Sequence, residues 1–384
     1  MPSVDWRQLY AENQATIARA SLLDADNGPP SMPGALPSAV VPPLQGRWVR
    51  PLGERSVPPL QGRSTSPLQA PWTPPPSGSG ALVHIPPGLD PSVPTALVCM
   101  LHGCTQNPAS FAAATAMNDA ADRDGFVVVY PGQSRGRNPQ GCWNWFLPEH
   151  QQRGAGEPEA VATILREVIE ADARCCIDPD QVFVAGLSSG GAMALVLATC
   201  YPDLIAGVAV HSGLAYGSAK NLSSALEVMA HAHRNGGADG RAAHAAMGRY
   251  ARPVPSLVIH GSADRTVSPA NAIQVLGQSM LANHLAAPAT CNHDVRRPTT
   301  SRRCQSEDGY AYTQARWVDA QGTTVHELLA IDGLGHAWSG GTPGASYTEP
   351  RGPSATEAIC AFFSRPTVRS SRDVHGSRGA ERAR

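Results

Sequence analysis

The chain has 384 residues, of which 42% are hydrophobic and 16% charged, and its formal net charge is −1 at pH 7. A charge this close to zero excludes a protein that binds nucleic acid through a dedicated basic surface. No run of about 18 apolar residues is present, so a membrane span is excluded as well. The composition is typical of a globular protein with a large buried core, in one large or two ordinary domains.

The N-terminal region contains two stretches of different composition. Residues 1–24 carry Trp6, Leu9 and Ile17 among polar residues, which predicts an amphipathic helix. Residues 25–80 are rich in proline and contain the heptapeptide VPPLQGR twice, at 41–47 and 57–63. Because proline fixes φ and lacks a backbone donor, we expect an extended linker, with a docking site for another protein as the alternative.

From residue 81 onwards, short apolar runs alternate with helical stretches. Buried strands are predicted at 96–101, 126–130, 182–185, 207–210 and 256–259. Helices are predicted at 108–124, 157–174, 190–200, 270–286 and 354–364. Residues 81–85 and 312–317 are expected to add strands, the first of them antiparallel. This alternation predicts an α/β fold, with a mostly parallel sheet and helices on both faces.

The last segment, residues 365–384, contains six arginines and almost no apolar residues. A segment with this composition cannot bury enough apolar surface to fold by itself. We therefore expect a disordered tail that follows a domain over residues 81–364.

Cysteine usage leaves the cellular compartment open. The N-terminus lacks a basic stretch followed by an apolar core, so no secretory signal is visible and a cytoplasmic location is predicted. However, Cys291 and Cys304 flank a polar, arginine-rich loop and are candidates for a disulfide. The total of nine excludes complete pairing within one chain, and the absence of CxxC argues against a structural zinc site. Four cysteines lie on apolar runs and are predicted core residues: Cys99, Cys175, Cys176 and Cys200.

The sequence GLSSG at residues 186–190 joins the predicted strand 182–185 to the predicted helix 190–200. In a strand–turn–helix context, G-x-S-x-G is typical of a nucleophile elbow, which raises the serine hydroxyl above the sheet. The two glycines allow the close approach of helix and strand. Ser188 is therefore the predicted nucleophile, although the bare pattern also occurs in ordinary loops.

A serine nucleophile needs a histidine to accept its proton and a carboxylate to orient that histidine. In the α/β-hydrolase arrangement the chain order is serine, then acid, then histidine, each after a strand. Asp264 follows the strand 256–261, and His336 follows the strand 325–331, so both fit this order. Asp332 is an alternative carboxylate, and a turn-capping Asp264 or a structural His336 is the alternative role for each predicted partner.

The negative oxygen that develops on the substrate needs two backbone donors. The amide of Ser189, directly after the nucleophile, is the first predicted donor. The second is expected in HGCTQ at 102–106, after the strand 96–101. Gly103 permits a sharp turn there, which leaves the amide of Cys104 as the predicted donor; an ordinary strand-to-helix loop is the alternative.

Five motifs together resemble those of the poly(3-hydroxybutyrate) depolymerase family of esterases. They are HGCTQ at 102–106, GCWNWF at 141–146, GLSSGGAM at 186–193, HGSAD at 260–264 and GHAWSGG at 335–341. The resemblance covers about residues 81–364 and implies an α/β-hydrolase fold related to feruloyl and acetyl-xylan esterases. It also implies that Ser188, Asp264 and His336 form the triad, that Cys104 belongs to the oxyanion hole, and that no metal or other cofactor is needed. Since the family includes secreted polymer degraders, it implies an extracellular location as the alternative.

The sequence thus predicts a serine hydrolase that cleaves 3-hydroxybutyrate polymers, oligomers or similar small esters through an acyl-enzyme. A feruloyl or acetyl-xylan type of esterase is the alternative within the enzymes. A non-catalytic binding protein on a hydrolase fold is the alternative from another class. Trp143, Trp145 and Trp338 are expected to line the acyl pocket, with core packing as the alternative role for each. The predicted partner is an ester, either a small molecule or a polyester, and the oligomeric state is left open.

Overall fold

A computed structural model describes residues 80–171, 175–232, 239–288, 294–306 and 309–365. The amphipathic helix predicted over 1–24, the linker over 25–80 and the tail over 365–384 lie outside these ranges, except for Gly80 and Arg365. Arg365 contacts the core, because its guanidinium donates to Oε2 of the buried Glu327 at 2.6 Å.

The described residues form one large sheet and one small one. The large sheet consists of β1 (Leu82–His84), β2 (Pro94–Leu101), β3 (Val127–Tyr130), β4 (Cys176–Leu187), β5 (Gly207–His211), β6 (Ser256–Gly261), β7 (Thr300–Gln305), β8 (Ala311–Val318) and β9 (Thr324–Ile331). Its spatial order is β1-β3-β2-β4-β5-β6-β9-β8-β7. The small sheet pairs β10 (Trp338–Ser339) with β11 (Thr348–Glu349) in parallel.

The centre of the large sheet is parallel and its edges are antiparallel. Six neighbouring strands pair in parallel, in the order β3, β2, β4, β5, β6 and β9. β1 pairs antiparallel with β3, and β7 and β8 pair antiparallel beyond β9. The central strands are apolar runs such as VVVY in β3, every residue of which is buried, as expected for strands covered on both faces. The predicted α/β fold and the antiparallel first strand are confirmed.

Eight α-helices cover the sheet within the described residues. They are α1 (Pro108–Thr115), α2 (Met117–Asp124), α3 (Gly156–Ala171), α4 (Ser189–Cys200), α5 (Leu222–His231), α6 (Gly240–Met247), α7 (Ala270–Ala286) and α8 (Ala355–Phe363). Alternate residues of β4 face two apolar clusters: Val184 packs with α4, and Ala185 packs with α8. In the described part of the chain, every helix falls short of the length and apolar character that a bilayer crossing requires.

The single helix predicted over 108–124 is instead two helices. The chain turns at Ala116, whose φ of 51° lies in the left-handed region. A reciprocal capping box between Asn107 and Ser110 begins α1, and Gly125 ends α2 with a φ of 76°. The helices α5 and α6 and the edge strand β7 were not predicted. Of these elements, α5 matters most for function, because it forms one wall of the candidate site.

Candidate active site

Ser188 occupies a sharp turn between β4 and α4. Its backbone has φ 58° and ψ −121°, a conformation that L-residues adopt only where the surrounding structure enforces it. The glycines on either side make this turn possible. A Cβ on Gly186 would lie 2.4 Å from the carbonyl of Gly190, and a Cβ on Gly190 would lie 2.1 Å from the carbonyl oxygen of Leu101. The predicted elbow is therefore present, and the amide of Ser188 donates to the carbonyl of His211 at 2.9 Å.

The sheet places both predicted partners at the same edge as Ser188. β4, β5, β6 and β9 are parallel neighbours, and the loops after their carboxyl ends meet there. Asp264 Oδ2 accepts a hydrogen bond from Nδ1 of His336 at 2.8 Å. The other oxygen, Oδ1, accepts from the amides of Thr266 and Val267, both at 2.9 Å. Asp264 is 4% exposed, so this carboxylate is held from both sides in a nearly dry environment.

A second histidine contacts Asp264. His260 Nε2 donates to the carbonyl of Val267 at 2.9 Å and lies 3.4 Å from Asp264 Oδ2. Burial alone would raise the pKa of Asp264, but the hydrogen bonds from His260 and His336 outweigh it and hold that pKa well below its usual range. Although two histidines surround the carboxylate, no group of three or more potential ligands among the described residues could hold a metal ion.

Asp332, the alternative carboxylate, lies elsewhere. Its Oδ2 accepts from the guanidinium of Arg303, and both side chains are about half exposed. The contact between Asp264 and His336 therefore favours Asp264 as the partner of the histidine. His260 was missed as a contact of Asp264; its position at the end of β6, four residues before Asp264, was the available signal.

The loop after β2 carries the predicted second oxyanion donor. Gln106 holds this loop, since its Oε1 accepts from the amide of Gly103 at 3.0 Å and its Nε2 donates to the carbonyl of Ser346 at 3.0 Å. Within the described residues, no hydrogen bond occupies the amide of Cys104 or of Ser189. The side chains of these two residues are also close, with Ser189 Oγ 3.4 Å from Cys104 Sγ. Both amides are thus available to bind an oxyanion.

A disulfide joins this loop to the next wall of the site. It links Cys104 to Cys142, whose Cα atoms are 4.2 Å apart. Cys304 is a free thiol, and Cys291, its predicted partner, lies outside the described residues, so this pairing stays a prediction. Cys99, Cys175 and Cys200 are buried as expected, whereas Cys176 is exposed. Pairing was not evident from the sequence because it depends on which loops meet in space.

A cavity of about 730 Å³, counting its open mouth, adjoins Ser188. Its described lining is entirely uncharged. Cys104, Cys142, Ser188 and Ser189 lie along one side, with Asn138, Gln140 and Thr266 as further polar groups; the apolar lining comprises Trp143, Trp145, Phe146, Leu214, Leu222, Ala225, Leu226 and Met229. Two of the three predicted tryptophans, Trp143 and Trp145, therefore line this cavity. The third does not.

Trp338 belongs to the core rather than to this cavity. It is fully buried and packs between Phe111, with ring centroids 5.5 Å apart, and His211, at 5.2 Å. Its Nε1 donates to Oγ1 of Thr356 at 3.1 Å. The prediction that Trp338 lines the acyl pocket is therefore wrong. Trp338 follows His336 by two residues, but nearness in the sequence does not determine the direction in which a side chain points.

His211 connects the serine elbow to Trp338. Its carbonyl receives the amide of Ser188, and its Nε2 accepts from the amide of Ser339 at 3.2 Å. Burial is the largest cause that lowers its pKa, to about 3, with the nearby His260 and His336 adding to the effect. His211 is therefore neutral at ordinary pH and supports the site as a hydrogen-bonding and packing group.

Glu157, which was not singled out from the sequence, organises the aromatic wall. This residue is 1% exposed and lies in the first turn of α3. Its Oε2 accepts from the amide of Asn144 at 2.7 Å, and its Oε1 accepts from Nδ2 of Asn144 at 2.6 Å and from Nε2 of Gln133 at 2.5 Å. Gln133 also donates to the carbonyl of Cys142 at 3.1 Å. One carboxylate thus fixes the loop that presents Trp143 and Trp145.

Comparison with known proteins shows the family to which the chain belongs. The family model described as Esterase PHB depolymerase matches residues 79–302. Poly(3-hydroxyalkanoate) depolymerase C of Paucimonas lemoignei is 35% identical over 262 residues, which are 68% of this chain and 58% of that protein. Poly(3-hydroxybutyrate) depolymerase of Ralstonia pickettii is 26% identical over 271 residues, or 67% of this chain and 51% of that protein. This chain therefore spans between half and three-fifths of the length of these relatives.

A solved structure shows the same fold. Acetyl xylan esterase from Aspergillus awamori superposes with a TM-score of 0.54 at 20% identity, covering 74% of this chain and 93% of that one. At this level of identity the similarity concerns the α/β-hydrolase fold alone. The family match itself covers more than half of the 384-residue chain, and it includes the elbow of Ser188 and the loop of Asp264. The chain belongs to the PHB depolymerase family of esterases.

Proposed function

We propose that this protein is a serine carboxylic-ester hydrolase with Ser188, Asp264 and His336 as its catalytic triad. The observation that carries the proposal is the 2.8 Å hydrogen bond from His336 to Asp264 at the sheet edge where Ser188 adopts its strained turn. An ionised Asp264 keeps the proton of His336 on Nδ1. Nε2 is then the nitrogen that can accept the proton of a serine hydroxyl.

In the proposed reaction, Ser188 Oγ attacks the ester carbonyl carbon while His336 Nε2 takes the hydroxyl proton. The carbonyl oxygen becomes an oxyanion, which the amides of Cys104 and Ser189 bind. When the tetrahedral intermediate collapses, the bond to the alcohol oxygen breaks and His336 returns its proton to the leaving alcohol. Water then attacks the acyl-enzyme with His336 as base, and this step releases the acid and regenerates Ser188.

The proposed substrates are oligomers or polymers of 3-hydroxybutyrate and similar small esters. The cavity beside Ser188 has an uncharged lining that is largely apolar and aromatic, which suits a neutral acyl chain. The names of the two depolymerase relatives support the same class. A feruloyl or acetyl-xylan type of substrate is the second candidate, because an aromatic wall of Trp143 and Trp145 also suits a ring.

Ser188→Ala tests the activity directly. The wild-type protein should hydrolyse p-nitrophenyl butyrate, and the variant should lose at least about 10³-fold in kcat, since the nucleophile is absent. A fluorophosphonate probe should label the wild type and not the variant. Undiminished hydrolysis by the variant would contradict the assignment of Ser188. A folded wild type that neither labels nor hydrolyses esters would support a non-catalytic binding protein instead.

A substrate panel separates the two ester classes. Dimers and trimers of 3-hydroxybutyrate, methyl ferulate and acetylated xylan should be compared by kcat/KM at one pH. We expect the hydroxybutyrate oligomers to react fastest. A higher value for methyl ferulate or acetylated xylan would shift the assignment to the second candidate.

We also propose an oxidising, extracellular location in preference to the cytoplasmic one predicted from the N-terminus. The Cys104–Cys142 disulfide supports this choice, because disulfides persist mainly in oxidising compartments. Fractionation of the native host, followed by detection of the protein, tests the proposal. Recovery from the cytoplasm with both cysteines reduced would contradict it.

A further inference from the structure

Tyr347 is an exposed aromatic residue on a strained backbone. Its φ is 54°, in the left-handed region that a bulky side chain rarely adopts. It is 38% exposed, and among the described residues only Val93 and Ile273 are comparably exposed large apolar side chains. A backbone conformation of this kind persists only where neighbouring structure enforces it, and such residues cluster at functional sites. A strained and exposed aromatic residue is therefore a candidate for a functional role.

The backbone around Tyr347 is fixed on both sides. The carbonyl of Tyr347 accepts from the amide of Trp338 at 2.7 Å, and Trp338 is itself fully buried. The preceding carbonyl, of Ser346, accepts from Gln106, which also holds the loop of Cys104. The following residue, Thr348, pairs with Trp338 in the small sheet. The strained turn is thus attached to both the oxyanion loop and the chain that follows His336.

The ring of Tyr347 flanks the proposed proton shuttle. Its centroid lies 6.4 Å from that of His336, in an edge-to-face arrangement at 83°. Neither residue is part of the described lining of the cavity beside Ser188. An ester has two arms, the acyl group and the alcohol group. The cavity beside Ser188 adjoins the nucleophile and the oxyanion donors, so it suits the acyl arm. The alcohol arm leaves past the histidine that protonates it, and the ring of Tyr347 lies beside that histidine.

We propose that Tyr347 is a specificity-determining residue whose ring contacts the alcohol arm of the substrate. The enzyme then prefers esters whose alcohol continues beyond the reacting oxygen and presents CH groups to the ring. The next hydroxyacyl unit of an oligoester has this chemistry, and so does the face of a sugar. This inference rests on the proposed ester hydrolysis and goes beyond it by assigning a binding surface to the leaving-group side.

The test compares esters that share one acyl group and differ in the alcohol. Methyl 3-hydroxybutyrate and the linear dimer of 3-hydroxybutyrate form the first pair. Methyl acetate and acetylated xylobiose form the second, which distinguishes a sugar from a hydroxyacyl unit. With Tyr347→Ala, kcat/KM for the extended member of at least one pair should fall about tenfold through KM, as expected for loss of one aromatic contact. The methyl esters should change by less than about twofold.

Three further variants separate binding from structure. Tyr347→Phe keeps the ring and should retain the preference. Tyr347→Gly removes the ring but also relieves the backbone strain, so it should lose the preference while its Tm stays equal or rises. Ile273→Ala, at another exposed apolar position, should alter neither member of a pair.

Equal losses on short and extended alcohols, or no loss at all, would overturn the assignment of Tyr347. A lower Tm of Tyr347→Gly with parallel losses on every ester would assign it a structural role and overturn the proposal in the same way. If the wild type hydrolyses neither member of either pair, the proposed function fails first. These outcomes are distinguishable because the methyl esters, whose alcohol is too short to reach Tyr347, report the chemical step alone.

Discussion

Asp264 and Glu157 are both buried carboxylates beside the candidate active site, and their surroundings differ. Asp264, 4% exposed, is contacted by two histidines and two backbone amides. Glu157, 1% exposed, is contacted mainly by amide groups of Asn144 and Gln133, and His150 Nε2 lies 3.9 Å from its Oε1. Its place in the first turn of α3 adds the favourable field of a helix N-terminus.

The difference shows how the same functional group serves chemistry in one place and shape in another. A carboxylate that contacts an imidazole selects its tautomer and stabilises the cation that forms in the reaction. A carboxylate that contacts mainly amide groups fixes a loop, because each of those donors would otherwise be buried without a partner. We therefore expect changes at Asp264 to act on kcat, and changes at Glu157 to act on KM and on stability.

Asp264→Asn should have the largest effect. The amide can still accept from Thr266 and Val267, so the loop should keep its form, but it no longer stabilises a protonated His336. We expect kcat to fall by about 10³- to 10⁴-fold, with KM little changed. Steady-state kinetics with p-nitrophenyl butyrate measures this, and Tm serves as the folding control. A folded variant that keeps more than a tenth of the wild-type kcat would remove Asp264 from the triad.

Glu157→Gln should have the second largest effect. Its side-chain NH₂ group would face either the amide of Asn144 or the donors of Asn144 and Gln133, so at least one buried donor loses its acceptor. The free energy of unfolding should fall by about 1 to 3 kcal/mol. Because the aromatic wall loosens, KM for p-nitrophenyl butyrate should rise by about tenfold, more than kcat falls.

Urea unfolding and steady-state kinetics of Glu157→Gln supply both values. Glu149→Gln, a nearby exposed position, is the matched control and should change neither. If Glu157→Gln lowered kcat alone, the distinction between the two carboxylates would be lost.

Sequence reasoning predicted best the features that repeat along the chain or occur in a fixed order. The parallel strands are apolar runs. The elbow is a local pattern in which glycine is required because a Cβ would clash with the neighbouring backbone. Asp264 and His336 were found by their order after strands, and the structure brings them together. Such features need only the neighbouring residues and the general rules of parallel sheets.

The features that were missed depend on contacts between distant segments. Cys104 and Cys142 are 38 residues apart, and Glu157 meets Asn144 only because α3 packs against the loop before it. Trp338 was wrongly placed because adjacency to His336 does not determine which way a side chain points. The break at Ala116 was missed because alanine favours helices, and the left-handed turn there is imposed by tertiary structure.

Acid should lower the stability of the protein through two buried histidines, His211 next to the site and His326 near the start of β9. Burial lowers the pKa of His211, and separately that of His326 on β9, to about 3 from 6.5. The unfolded chain therefore binds these protons below pH 6.5, while the folded protein resists them until about pH 3. Stability is complete above pH 6.5 and should fall by about 2 kcal/mol per histidine by pH 5.

Urea unfolding at pH 7.5, 6 and 5 tests this expectation. Asp264 acts in the same direction, because its pKa is lowered, but its contribution is lost only below about pH 4. The interval from pH 6.5 to 5 thus reports the buried histidines. A free energy of unfolding that stays constant or rises towards pH 5 would show that these imidazoles are already protonated in the folded protein.

Asp332→Asn should have the smallest effect and is the matched counterpart of Asp264→Asn. Both residues follow parallel strands and precede His336, but Asp332 contacts the exposed Arg303. An exposed ion pair contributes at most about 1 kcal/mol to stability, so Tm should change little and kcat should stay within about twofold of wild type. If Asp332→Asn instead lost activity as Asp264→Asn is expected to, the histidine would be oriented by the other carboxylate. Burial and the 2.8 Å contact, which distinguish Asp264 here, would then be poor guides to the catalytic acid.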